Sequence, residues 1–204
     1  FPVLEYREPY YFDAFDGDWA ARNKANGHFP RLKPHHGGKV RYAHFVHTFH
    51  SLVPVEEYFD THPEYFSEVD GKRIKERTQL CLTNPDVFRI ALEQVRQWIK
   101  EEPDATIISV SQNDWYNPCQ CKNCKVIDEK EGSHSGTLLY FVNKIAEAVE
   151  KEYPDKVIDT LAYQYTRKAP KYIRPRDNVI VRLCSIECCF SHPLAECREK
   201  QHSI

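Results

Sequence analysis

The chain has 204 residues and 41% hydrophobic content, enough for a substantial core, and residues 1–204 read as a single domain. Its 28 lysines and arginines nearly balance its 30 aspartates and glutamates, for a net charge of −2, and no long basic run occurs, so the electrostatic footprint of a nucleic-acid binder is absent. No apolar stretch approaches the roughly 20 residues that span a bilayer, so no membrane span is expected.

In chain order, β-rich runs fall at 2–6, 40–47, 78–82, 106–111, 157–165 and 178–185. Most are apolar on both faces, as strands covered on both sides must be. The segment 13–39 is broken by Gly27, Pro30, Pro34 and Gly37-Gly38, with a short helix predicted at 19–24. One or two short helices are predicted within 55–66, interrupted at His62-Pro63, and Asp70-Gly71 reads as a hairpin turn. Asn84-Pro85 then supplies a helix cap and a first-turn proline, and Val87, Ile90, Ala91, Val95, Trp98 and Ile99 follow at helical spacing until Pro103. A second helix opens near Ser135 and carries Leu138, Leu139, Val142, Ile145, Ala146 and Val149 to its end at Tyr153-Pro154.

Helices lying between strands imply parallel crossovers, and six such strands followed by long, polar, aromatic-rich loops point to a TIM barrel of the (β/α)8 type. About six of its eight strands are present, so the barrel is incomplete. A doubly wound open sheet is the competing fold, but no glycine-rich phosphate loop follows any of the strands. The chain contains no methionine, even at position 1, and stops at Ser203-Ile204 soon after a strand end, which reads as a fragment of a longer parent with N-terminal and C-terminal domains of its own.

In a barrel, the C-terminal strand ends face one shared pocket. Here they offer Arg7, His47, His50, Asn113, Asp114, Trp115, Tyr163, Tyr165 and Glu187, a set of acids, amides, cations and flat rings suited to a carbohydrate. Asp114 follows its strand directly and sits beside Trp115, where partial desolvation raises a carboxyl toward general-acid use; its alternative role is an Asx turn ahead of Asn117-Pro118. Glu187 is the candidate second carboxylate across a sugar ring, or else a structural acid paired with Arg182 or Arg198. His47 and His50 suit sugar hydroxyls or a satisfied core position, and Trp115, Tyr163 and Tyr165 suit sugar stacking or packing of the barrel mouth.

Cys119, Cys121 and Cys124 are spaced like half of a structural zinc site, with Cys81 the expected fourth ligand and His134 in reserve. A disulfide from Cys81 to one of the three is the alternative in an oxidising compartment. Cys184, Cys188, Cys189 and Cys197 show no comparable spacing.

The strings Leu4 to Glu8, Trp19 to Asn23, His47 to Phe49, Leu80 to Pro85, Ser109 to Asp114 with Cys119, Cys121 and Cys124, Tyr163 to Tyr165, and Asn178 to Cys184 together resemble the bacterial family known as domain of unknown function 4838. The resemblance spans essentially the whole chain. It implies a TIM barrel related to glycoside hydrolases, often preceded by a domain similar to that of α-glucuronidases and hexosaminidases, and an extracellular or periplasmic setting. Such hydrolases commonly carry an Asp-Glu pair after the fourth strand, where this chain has Asn113-Asp114. Together these readings predict an enzyme that hydrolyses an oligo- or polysaccharide, or alternatively a non-catalytic carbohydrate-binding barrel.

Overall fold

A four-stranded parallel sheet organises the chain. The computed structural model describes residues 5–186, 189, 191–193, 196 and 197. In order, the elements are helix α1 (Gly17–Arg22), strand β1 (Tyr42–Ala43), short helices α2 (Phe49–Leu52) and α3 (Val55–Tyr58), and strands β2 (Glu68–Val69) and β3 (Lys72–Arg73). Helix α4 (Pro85–Glu101), strand β4 (Ile107–Ser109), helices α5 (Lys122–Glu131) and α6 (Ser135–Glu152), and strands β5 (Val157–Ala162) and β6 (Val179–Leu183) follow. The sheet runs β1-β4-β5-β6, with Tyr42 opposite Ile107, Ser109 opposite Asp159, and Leu161 opposite Arg182. β2 and β3 form a separate hairpin through Asp70-Gly71, and both turn residues have positive φ.

Local chemistry explains the two long helices. The Asn84 side chain accepts hydrogen bonds from the Asp86 and Val87 amides, and Pro85 occupies the first turn of α4, where a missing N–H costs nothing. Val87, Ala91, Val95 and Trp98 of α4 and Leu138, Phe141, Val142, Ile145 and Val149 of α6 pack with Ala43, Ile108, Ile158 and Val179 in one core. Burying each large aliphatic chain contributes roughly 1.5–3 kcal/mol.

Strand alternation sends Ile108 and Ile158 toward those helices, so Ser109, Asp159 and Arg182 face the opposite way. On that second face the Arg182 guanidinium stacks on Phe45 at 4.2 Å and on Tyr42 at 5.5 Å. Tyr6 and His28 of the N-terminal segment pack edge-on against Tyr42. Among the described residues β6 is an edge strand, with Ile180 and Val181 each 40% exposed.

Three strand expectations change. Residues 40–47 shorten to Tyr42–Ala43 because His44 and His47 both take φ of 54°, which extended chain cannot accommodate. Residues 78–82 do not join the sheet, so β1 pairs directly with β4; Arg77 enters with φ of 51°, and only isolated bridges Phe66–Leu80 and Thr78–Asn117 form. Residues 2–4 lie outside the described residues, and Glu5 and Tyr6 are not in a strand. Helix α5 was not expected; its C-terminal signal is Gly132, left-handed at φ of 69° just beyond Glu131. No helix among the described residues is long and apolar enough to cross a membrane.

Candidate active cleft and metal centre

The C-terminal ends of β1 and β4 open onto a cleft of about 810 Å³, within the size range of small-ligand sites. His47, His50, Arg77, Asn113, Asp114 and Trp115 line it. Glu56 and Glu76 add two more carboxylates to its wall. His47 reaches it beside Thr48, which is locked to the strand end: the Thr48 hydroxyl donates to the Ser109 carbonyl and accepts from the Ser111 amide, both at 2.9 Å.

Asp114 is exposed at the cleft edge, and both of its neighbours from the β5 end address one oxygen. The Tyr163 hydroxyl donates to Oδ1 at 2.9 Å and the Gln164 amide at 3.4 Å, leaving Oδ2 for water or a ligand. Gln164 holds this position with φ of 52°, as His47 and Arg77 hold theirs, so three side chains around Asp114 sit on left-handed backbone. Non-glycine residues in that region cost about 1 kcal/mol or more and cluster at functional sites. His47 Nδ1–H donates to the Gln112 carbonyl at 2.9 Å, which leaves Nε2 as the acceptor of the neutral ring. The His47 ring lies 5.8 Å from Tyr163, and the Arg77 guanidinium covers Trp115 at 5.4 Å.

The other sequence-selected residues divide. Asn113 lines the cleft, but its amide braces backbone, accepting from the His50 amide at 2.9 Å and donating to the Thr78 carbonyl at 3.0 Å. Tyr165 turns away from Asp114 to pack edge-on against His134 near the cysteines. Arg7 is tied through its backbone to Asn26, and the bonds that join the cleft residues do not involve it. Glu187 lies outside the described residues.

Beneath the cleft, sequence reasoning missed Asp159. It sits fully buried in the middle of β5 and receives the Arg182 guanidinium at 2.8 Å, while its Oδ2 is buried without a hydrogen-bond partner. Loss of solvent outweighs the pull of Arg182 and lifts the carboxyl to about 7. The sequence signal was a lone acid inside an apolar strand beside a strand carrying an arginine.

The cysteines behave as the spacing predicts. Cys81, Cys119, Cys121 and Cys124 are buried, their sulfurs all lie within 4.8 Å of one another, and Cys81 and Cys121 are 3.6 Å apart. A tetrahedron with metal–sulfur bonds of about 2.3 Å has edges near 3.8 Å, so the cluster has the dimensions of a four-thiolate site. None of the four is in a disulfide. His134, the reserve ligand, is engaged by Asp128 at 2.6 Å.

Donors surround the sulfurs: the Glu68 amide reaches Cys119 at 3.4 Å, Arg73 reaches it at 3.6 Å, and the Thr83 hydroxyl lies 3.3 Å from Cys124. Hydrogen bonds from Cys119 and Cys124 pull the Cys81 thiol far down, and the same crowding pushes Cys119 to about 12 and Cys124 higher still. A bound cation compensates the charge of thiolates held this close together. The buried four-cysteine cluster can therefore hold a metal ion.

A family model described as Domain of unknown function (DUF4838) matches residues 1–203. The chain belongs to this family. Nothing among curated proteins matches the DUF4838 chain. What its cleft and cysteine cluster do therefore rests on their own chemistry.

Proposed function

We propose that this DUF4838 chain is most of a TIM-barrel glycoside hydrolase that cleaves a glycosidic bond in an oligo- or polysaccharide, in an extracellular or periplasmic setting. Supporting the barrel, both long helices pack on one face of the parallel sheet, whereas the other face carries Ser109, Asp159 and Arg182, as the wall of a barrel would. Remaining strands of the parent chain complete the closure in this reading.

The observation that carries the activity is Asp114, held through Oδ1 by Tyr163 and Gln164 at the rim of a cleft that also presents Trp115. In the proposed reaction Asp114 gives its proton to the glycosidic oxygen as the bond to the anomeric carbon breaks, and Glu187 is the second carboxylate, with which one water is added to that carbon either directly or after a glycosyl–enzyme intermediate. Trp115 offers a sugar-stacking face, and His47 and His50 offer ring nitrogens to hydroxyls. We assign the four-cysteine cluster a structural zinc, which holds the loops carrying residues 81 and 119–124 together and takes no part in bond cleavage.

A second reading is a carbohydrate-binding barrel without turnover. It is favoured by Asn113, which stands where an acid pair would and has its amide occupied by backbone.

Full-length protein assayed on a glycan array and for release of reducing ends separates the two. Asp114→Asn is expected to cut turnover by about 10²–10⁴-fold with the thermal midpoint unchanged. Turnover at the wild-type rate by this variant sinks the proton-donor role, and binding without cleavage by the wild type selects the second reading.

A further inference from the structure

Cysteine spacing alone left the residues after β6 unassigned, yet the fold gathers three metal-ligating side chains there. Cys189 Sγ lies 3.2 Å from His192 Nδ1, and the ligand atoms of Cys189, His192 and Cys197 all fall within 4.8 Å of one another. A turn closes the group: the amides of Glu196 and Cys197 both donate to the Pro193 carbonyl at 3.0 Å, bringing Cys197 back toward the pair. Both cysteines are half-buried and neither is in a disulfide.

We infer that Cys189, His192 and Cys197 form a second metal site, separate from the four-cysteine cluster, for a thiophilic divalent cation of the zinc class. Two thiolates and an imidazole are a borderline-soft donor set, which disfavours magnesium and calcium, cations that prefer oxygen ligands. Distances of about 2.0–2.1 Å to nitrogen and 2.3 Å to sulfur place one ion between the three atoms. Three protein ligands leave a fourth tetrahedral corner for water or another donor, unlike the closed set at Cys81, Cys119, Cys121 and Cys124. The segment follows β6, whose end is fixed by the Cys184 amide donating to the Ala162 carbonyl, so an ion here anchors chain on the same rim of the sheet as the cleft.

Cobalt(II) is the probe. The full chain, purified metal-free under reducing conditions and titrated with cobalt(II), is expected to bind about two ions, with sulfur-to-cobalt charge-transfer bands for both sites. Cys189→Ser combined with Cys197→Ser, and separately His192→Ala, should each lower this to about one ion while the four-sulfur spectrum persists. Cys124→Ser should remove the four-sulfur spectrum and leave the other, so failure of one site is told apart from failure of the other. Bound metal should also protect Cys189 and Cys197 from alkylation, a readout that survives if a variant misfolds. Equal stoichiometry in the wild type and the Cys189/Cys197 variant, or a Cys189–Cys197 disulfide in unreduced peptide maps, overturns the inference.

Discussion

The cysteine cluster and the cleft are built from the same two stretches of chain, yet they are opposites. Arg77, Thr78, Leu80 and residues 113–115 line the cleft, and Cys81, Cys119, Cys121 and Cys124 continue the same stretches into the cluster. The cleft side is open and polar, with Asp114 and Trp115 exposed and left-handed backbone at Arg77. The cluster side is closed, and its sulfurs are already matched by the amide of Glu68, Arg73 and Thr83. The contrast suits a division of labour in which the closed side fixes the loop that carries the exposed acid: such an acid keeps its place only if something nearby holds the loop.

Breaking the rigid half should have the largest effect. Cys124→Ser removes one of four buried ligands and opens the closed four-thiolate set, which weakens its hold on a cation. Loss of a structural metal belongs among the changes that exceed about 4–5 kcal/mol, so we expect the thermal midpoint to fall by roughly 10 °C or more and elemental analysis to show about one metal ion fewer per chain than in the wild type. A variant that keeps its metal and its midpoint would show that the cluster does not organise this end of the sheet.

Next in size is the pH response of the floor beneath the cleft. The Asp159 carboxyl is raised from its ordinary 3.8 to about 7, so between those values the folded state holds a proton that the unfolded state releases. Stability contributed by this group is therefore present at acid pH and lost as pH rises from about 4 to about 7, by roughly 4 kcal/mol in total. Asp159→Asn cannot titrate, and unfolding free energies measured across that window should lose this downward slope relative to the wild type. Parallel profiles for the two proteins would mean that Arg182 keeps the acid ionised throughout.

How much of this was legible differs between the two regions for a physical reason. Helices α4 and α6 and the cysteine spacing are local signals, set by a cap, an apolar stripe or a short ligand interval, and the sequence carries each in full. Cys81 is expected beside the loop 119–124 as the end of a third sheet strand, and it lies there although 78–82 is no sheet strand, because the Thr78–Asn117 bridge and the Gln79 side chain tie the two stretches together. The cleft depends on non-local backbone, and positive φ at His47, Arg77 and Gln164 has no glycine to announce it. Tyr165 was misplaced for a related reason: a 3-10 turn over Gln164–Thr166 ends the strand and turns the chain, so two tyrosines read as one face separate, Tyr163 to Asp114 and Tyr165 to His134. Asp159 went unremarked because burial of an acid is visible only once its neighbours are placed.

The smallest effect tests the joint between the halves. Gln79 is 1% exposed and sits two residues before Cys81; its side-chain amide donates to the Asn113 carbonyl at 2.8 Å and to the Trp115 carbonyl at 2.7 Å, and its carbonyl accepts from the Asn113 amide at 2.9 Å. Gln79→Ala leaves one backbone donor and two backbone acceptors without that partner, at a cost of about 2–3 kcal/mol, and the midpoint should fall by roughly 4–12 °C. If the cluster is a clamp and Gln79 the rod that transmits it, metal content stays at the wild-type level while affinity for the glycan found on the array drops about tenfold or more, since Asp114 and Trp115 lose their register. Metal loss in this variant would instead mean that cleft and cluster form one cooperative unit, and unchanged affinity would mean that Thr48 and Asn113 hold the cleft loop without help from the cysteine side.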